Sequence, residues 1–306
     1  MKRKAVLVCC SDPRKEAGRQ IIIRSAENLE KMGVRTKISN YLGSETPVDA
    51  CIIAQELMSC FADDKVTDIF DVSGGDIANR ILPHLDYELV RHSNACFYGY
   101  SDLTTIINAL YAQTGKESVL YQVKNIASDQ DEIQCRRLDN YLSGNEAELL
   151  DINCCMINGR RMSGTLIGGN IRCLLKLAGT PYMPDPEGKL LLLEALGTDM
   201  YQLQTYVSQL SQLGFFSRIK GILLGTFTKL DNSGLSDDVI NLILKETNYS
   251  LPAAKTEEIG HGKNSKAAVI GRKYIIDSDI TENIITSDKV CIHASSAARQ
   301  SGSLRA

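Results

Sequence analysis

From Lys4 to about residue 125, short apolar, β-branched runs alternate with segments of helical spacing, and this restricts the fold more than any other feature of the chain. Lys4 to Cys10 ends at Ser11-Asp12-Pro13, and residues 14–31 follow with Ile21, Ile22, Ala26 and Leu29 on one helical face, closed by Gly33. Val34 to Leu42 alternates like a strand, residues 48–62 read as a helix, and Val66 to Val72 is a strand running into Ser73-Gly74-Gly75. A helix through Ile81, Leu82 and Leu85 comes next. Ala95 to Tyr100 then forms a strand, residues to Thr114 an amphipathic helix, and Ser118 to Val123 a further strand. Parallel strands need such crossovers, so residues 1–126 predict a doubly wound parallel sheet within an α/β protein. Ligands of these sheets gather beyond the carboxyl ends of the strands, where the loops Ser73–Asp76 and Tyr100–Asp102 both fall.

Residues 127–162 turn polar and acidic, with apolar positions too sparse to define a core face, and read as an interdomain connection. Residues 163–294 predict a second α/β domain. The segment around Asn153 resembles a hairpin, GTLIGGNIRCLLKLAG a loop entering a helix, and KLLLLEAL a buried strand. A helix from Met200 to Leu213, a strand from Ile219, a helix from Leu235 to Glu246, and a late loop and strand through His261 complete it. Residues 295–306 read as a disordered tail. The basic start and apolar run before Asp12-Pro13 imitate a leader, yet lack a small-residue cleavage site and read as a first strand.

A formal charge of −3 gives no electrostatic footprint for a polyanion, which excludes nucleic acid and an anionic membrane as partners. Of the ten cysteines, nine lie in apolar runs or in the adjacent pairs Cys9-Cys10 and Cys154-Cys155, with no C-x-x-C spacing. That usage suits a reducing cytoplasm and offers zinc no ligand set, so no metal is expected. Neither a strand-linked G-x-G-x-x-G nor a G-x-x-x-x-G-K-[ST] loop occurs, which argues against a dinucleotide or phosphate-loop cofactor.

Ser101 stands where the strand CFYG gives way to a helix, a place that suits either a helix cap or a nucleophile lifted above the sheet edge. Gly99-Tyr100-Ser101 is followed by Asp102 and Leu103, so the G-x-S-x-G elbow is incomplete. A serine nucleophile needs a base, and the base needs an orienting group. Of the four histidines, His84 and His92 fall on helices and His293 near the end, whereas His261 stands between Gly260 and Gly262 on a loop joining two candidate strands. Those glycines permit a close approach to another segment. Glu194 interrupts the apolar run KLLLLEALG, where it either pairs with a buried partner or faces solvent at the strand end. The Asp102 amide supplies one oxyanion donor, and Gly74 or Gly75 a second. Gly74, Asp76 and Asn170 complete the expected substrate contacts.

Five separated segments resemble the serine L,D-carboxypeptidase family, which includes the microcin C self-immunity peptidases. They are SGGDIANRILPHLD from Ser73, YGYSDLTTIINALYAQTG from Tyr98, the run from Ser163 through GGN, GTPY and LE to Gly197, GILLGTFTK from Gly221, and IGHGKNSKAAVIG from Ile259. The resemblance implies an N-terminal flavodoxin-like, or class I glutamine amidotransferase-like, domain and a C-terminal swivelling domain, often in a homodimer. It also implies Ser101 as nucleophile, His261 as base and Glu194 as acid, with Gly75 and Asp102 as oxyanion donors and no cofactor. The implied substrate is a small peptide, a muropeptide whose L,D amide bears a terminal D-amino acid. Many relatives read RGGYG where this chain has Ser73-Gly74-Gly75-Asp76, and the segment SETPVDACIIAQEL is also rewritten. The immunity branch, which would take a peptidyl or aminoacyl nucleotide conjugate, uses a loop tryptophan for stacking. This chain has none, leaving Tyr182 or Phe97 as replacement rings or as packing. A non-catalytic ligand-binding protein is the alternative of another class, because fold does not fix activity.

Overall fold

The computed structural model describes residues 3–13, 16–130, 132–278 and 290–293. Its first part runs β1 (Lys4–Val8), α1 (Glu16–Lys31), β2 (Arg35–Ile38), α2 (Ala50–Ala62), β3 (Asp68–Asp71), a 3-10 segment (Ala78–His84) and α3 (Tyr87–His92). It continues through β4 (Cys96–Gly99), a 3-10 turn (Ser101–Leu103), α4 (Thr104–Thr114), β5 (Ser118–Leu120) and a 3-10 segment (Val123–Ser128). The helix expected through Ile81 is 3-10 in form and carries Pro83, which has no N–H to continue a regular α-helix. Strands β2-β1-β3-β4-β5 lie parallel in that spatial order, one of the two common doubly wound arrangements. The switch point between β1 and β3 is where Ser11, Asp12 and the Ser73–Asp76 loop emerge.

α5 (Ile133–Leu142) and α6 (Ala147–Leu150) occupy the polar stretch that the sequence presents as a bare connection. Leu138, Leu142, Leu149 and Leu150 are buried there in one cluster with Ile22, Leu29 and Tyr98. Four leucines spread over thirteen residues suffice because each meets an apolar surface supplied by the first sheet and α1.

The second part contains β6 (Cys155–Asn158), β7 (Arg161–Asn170), α7 (Ile171–Leu175), β8 (Leu190–Ala195), α8 (Met200–Gln212), β9 (Gly221–Phe227), α9 (Thr228–Asn232) and α10 (Ser236–Glu246). β10 (Ala253–Lys255), β11 (Ala268–Ile270), β12 (Lys273–Asp277) and β13 (Val290–His293) follow. The second sheet has the order β13-β12-β7-β8-β9-β10-β6 and is parallel at β7, β8, β9 and β10. β11 leaves that sheet and pairs antiparallel with β5 at the edge of the first, so a strand of the carboxyl half closes the amino-terminal sheet. The expected tail, residues 295–306, lies outside the described residues.

GTLIGGN is strand, not loop, because Gly168 and Gly169 take φ of 101° and 132° without interrupting β7. A Cβ on Gly168 would stand 2.2 Å from the Leu192 carbonyl oxygen, and one on Gly169 would stand 2.8 Å from Thr104 Oγ1. Gly169 lets α4 settle directly on β7, and Gly168 lets β8 approach from the side. α4 is accordingly buried over residues 104–110, rather than amphipathic as its sequence reads, since it is packed between the two halves. Its polar side chains serve that contact. Asn108 donates to the Gly168 carbonyl at 2.9 Å and accepts from the Gly168 amide at 2.8 Å, while Thr104 Oγ1 accepts from the Asn170 amide at 3.0 Å. Among the described residues, no helix is long and apolar enough to cross a membrane.

Candidate active site

Ser101 has φ of 58°, a left-handed conformation that costs a non-glycine residue about 1–2 kcal/mol. The turn holding it is tight: a Cβ on Gly99 would come within 2.6 Å of Leu103 Cβ. Neither the 3-10 turn nor α4 receives a side-chain cap, so Ser101 does not serve as one. The Asp102 carboxylate, fully buried, faces away from the turn and accepts from Ser11 Oγ at 2.6 Å, from the Ala78 amide at 2.9 Å and from Lys176 Nζ at 2.5 Å. Three segments thereby clamp the turn, and the Asp102 amide remains in the first helical turn, where N–H groups have no intrahelical acceptor.

Glu194 and Asn170 are register partners at the carboxyl ends of β8 and β7. Glu194 is wholly buried, and its Oε2 lies 2.8 Å from His261 Nδ1, whose side chain is 7 % exposed. The contact is a close pair whose angle falls short of an aligned hydrogen bond. The Ile259 carbonyl accepts from the Thr226 amide at 2.7 Å, strapping the His261 loop to β9. Gly260 is needed for this approach, since its Cβ would fall 1.7 Å from Thr226 Oγ1, whereas Gly262 has open space around its Cβ position. From the other half, Asn125 donates to the Gly262 carbonyl and Gln134 to those of Lys263 and Ser265. The Tyr100 ring meets His261 edge-on at 4.9 Å. Burial first, and then the Glu194 charge, hold the Tyr100 phenol far above its ordinary pKa, so it stays neutral.

Ser101, Gly74, Gly75, Asp76, Asn170 and His261 all border one cleft of about 470 Å³, and Glu194 lies behind His261. Gly75 has φ of 141°, and a Cβ there would overlap Asp12 Cγ at 2.2 Å, so only glycine brings this backbone to the cleft. Behind the loop, buried Asp71 accepts from the Ser73 amide at 2.8 Å and the Cys10 amide at 2.8 Å. Desolvation nevertheless pushes its carboxyl up from the usual range. Asp76 pairs with Arg172, and that partner holds its carboxyl below the usual range. Arg172 Nη2 also donates to the Gly75 carbonyl at 3.1 Å, and Lys176 Nζ to the Asp76 carbonyl at 2.8 Å. Asn170 caps α7 by accepting from the Cys173 amide at 3.3 Å. A hydroxyl in a strained turn, an imidazole backed by a buried carboxylate and amides of two glycine-rich segments can together perform acyl transfer.

The chain matches both domains of one known family. The LD-carboxypeptidase N-terminal domain matches residues 6–121, and the LD-carboxypeptidase C-terminal domain matches residues 163–276. The chain belongs to the LD-carboxypeptidase family. Its serine-type carboxypeptidase hydrolase character follows from that membership. A "Probable murein peptide carboxypeptidase" of Bacillus subtilis is 26% identical over 267 residues, covering 82% of each chain. Two solved structures share the fold. The microcin C7 self-immunity protein MccF, in complex with aspartyl sulfamoyl adenosine, superposes with TM-score 0.81 at 19% identity over 90% of this chain and 93% of its own. A muramoyltetrapeptide carboxypeptidase from Oxalobacter formigenes gives 0.75 at 20% identity, over 90% and 95%.

Within this LD-carboxypeptidase, the candidate stacking rings are not at the cleft. Phe97 is core, and Tyr182 packs on Tyr87 with ring centroids 5.9 Å apart. Tyr206 and Tyr100 are the aromatic residues bordering the cleft. His84 lies against Cys51 Sγ at 3.3 Å, and His92 Nδ1 lies 2.8 Å from the Glu88 carbonyl, both apart from the cleft. Sequence reading missed Arg172, Lys176 and Lys124. The first two stand beside GGN at the start of a helix, and two basic residues four apart were the available signal.

Proposed function

We propose that the protein hydrolyses the L,D amide to a terminal D-amino acid in small muropeptides, through Ser101, His261 and Glu194. The observation that carries this reading is the left-handed Ser101 turn bordering the same cleft as His261, whose Nδ1 is held 2.8 Å from buried Glu194. In this mechanism Ser101 Oγ attacks the scissile carbonyl carbon. His261 Nε2 takes the serine proton and returns it to the leaving amine, while Glu194 fixes the imidazole tautomer and favours its cation. The Asp102 and Gly75 amides receive the developing oxyanion. Water, deprotonated by His261, then attacks the acyl-enzyme and releases the shortened peptide. Gly74, Asp76 and Asn170 line the peptide's path.

Residues 1–126 bring the nucleophile and residues 163–294 the acid and base, so substrate lies between the two. Among the described residues, Cys9-Cys10 and Cys154-Cys155 form no disulfide, which supports action in the cytoplasm on recycled cell-wall fragments. A homodimer belongs to the same reading.

A second reading draws on the likeness to MccF bound to aspartyl sulfamoyl adenosine and on the Ser73-Gly74-Gly75-Asp76 loop: hydrolysis of an aminoacyl or peptidyl nucleotide conjugate by the same three residues. Mass spectrometry after incubation with a muropeptide tetrapeptide and, separately, with an aminoacyl sulfamoyl adenosine separates the two. Loss of one D-amino acid from the tetrapeptide is expected, and Ser101→Ala should reduce it by roughly 10³-fold or more. Cleavage of the conjugate alone would replace the first reading by the second. A folded protein that cuts neither and never reacts with a fluorophosphonate would instead be a binding protein.

A further inference from the structure

Arg172 lies on the wall of the cleft nearest the loop proposed to hold the oxyanion, and its partners there are weakly bound. Its side chain is 40% exposed and that of Asp76 is 64% exposed, and an ion pair so open to water contributes little. Asp76 also has a second cation in reach, since its Oδ1 is 3.7 Å from Lys176 Nζ. The guanidinium can therefore exchange Asp76 for an incoming carboxylate without leaving Asp76 alone. Lys176 does not take that carboxylate itself, because Arg172 borders the cleft and Lys176 does not.

Position decides which carboxylate Arg172 meets. Its Nη2 donates to the carbonyl of Gly75, whose amide is the proposed oxyanion donor, so the guanidinium borders the cleft within one residue of that donor. The carboxylate of a single leaving amino acid is likewise one residue from the scissile carbonyl. A planar fork of N–H donors suits it, as two parallel hydrogen bonds can form.

We infer that Arg172 binds the terminal carboxylate of the leaving D-amino acid and thereby restricts cleavage to the last residue of the peptide. This rests on the carboxypeptidase reading above. Steady-state kinetics on a muropeptide tetrapeptide with a free C-terminus, and on the same peptide as its C-terminal amide, test it. Wild-type protein should prefer the free acid. Arg172→Gln should lower kcat/KM on the acid by about 10- to 100-fold, mainly through KM, and leave the amide unchanged. Arg172→Lys should recover part of the loss, and Asp76→Asn, which removes the competing carboxylate, should lower KM for the acid. Equal losses of Arg172→Gln on both peptides, no loss on either, or loss of the acid preference on Lys124→Gln instead would overturn the anchor while the carboxypeptidase reading stands. Wild-type protein that cuts neither peptide would overturn both.

Discussion

Lys176 Nζ lies 2.5 Å from the carboxylate of Asp102, joining the residue after α7 to the residue after Ser101. Asp102 is fully buried and the Lys176 side chain is 17% exposed, and the pair fastens the two halves together. Lys176→Met would leave Asp102 with Ser11 and Ala78, with no bonded cation and only the more distant Arg172 charge. A stability loss of about 3 kcal/mol is expected in urea unfolding, since removing one partner strands a buried charge. Lys176→Met/Asp102→Asn should be milder than the sum of its single changes. Additive losses would show that the two do not act as a pair.

Gly260 and Gly262 flank His261 alike in sequence and differ in space. Gly260→Ala forces a Cβ to within 1.7 Å of Thr226 Oγ1, so it should displace the His261 loop, cost about 1–3 kcal/mol and reduce peptide hydrolysis at least tenfold. Gly262→Ala meets nothing within 4 Å and should be nearly neutral in both assays. Equal effects of the two would contradict the packing described.

The left-handed backbone at Ser101 predicts an asymmetry between two variants that lack the proposed nucleophile. Ser101→Gly relieves the strain at φ of 58° and Ser101→Ala keeps it. The glycine variant should therefore be about 1 kcal/mol more stable than the alanine variant by denaturant midpoint, even though glycine is the more flexible residue unfolded.

Arg172 holds Asp76 below the ordinary carboxylate pKa. A depressed folded value means that the pair's contribution is present above the unfolded pKa of about 3.9 and is lost as pH falls through the folded value. The Asp76 carboxyl resonance should titrate with a midpoint below about 3.9 in the wild type, rising in Arg172→Gln. A midpoint indifferent to that substitution would remove Arg172 as the cause. High salt should weaken the shift, because the pair is exposed.

Much of this protein could be read directly from its residues, and the reasons are local. Runs such as VTDIFDV and LLLLEA carry their strand character in neighbouring side chains, and the order of strands and helices up to Leu120 follows from that periodicity. Ser101 and His261 announce themselves by their turns, and Glu194 by its apolar surroundings. The GGN segment reads as a loop yet is a strand, because glycine's conformational freedom does not say whether it serves a loop or a close approach; α4 pressing on β7 at Gly169 settles that. Residues 127–162 read as a bare connection for the complementary reason, their leucines being too few for a core alone and enough against one already present.

What the sequence by itself determined was the class of fold and the residue types able to carry acyl transfer, since both are encoded in short patterns. Only the tertiary structure decided which charges meet. Arg172 finds Asp76 across 96 residues and Lys176 finds Asp102 across 74, through side chains whose local sequence says nothing about a partner. The closing of β11 onto β5 is of the same kind. Such pairings depend on chain crossings and on the burial they create, which no window of neighbouring residues contains.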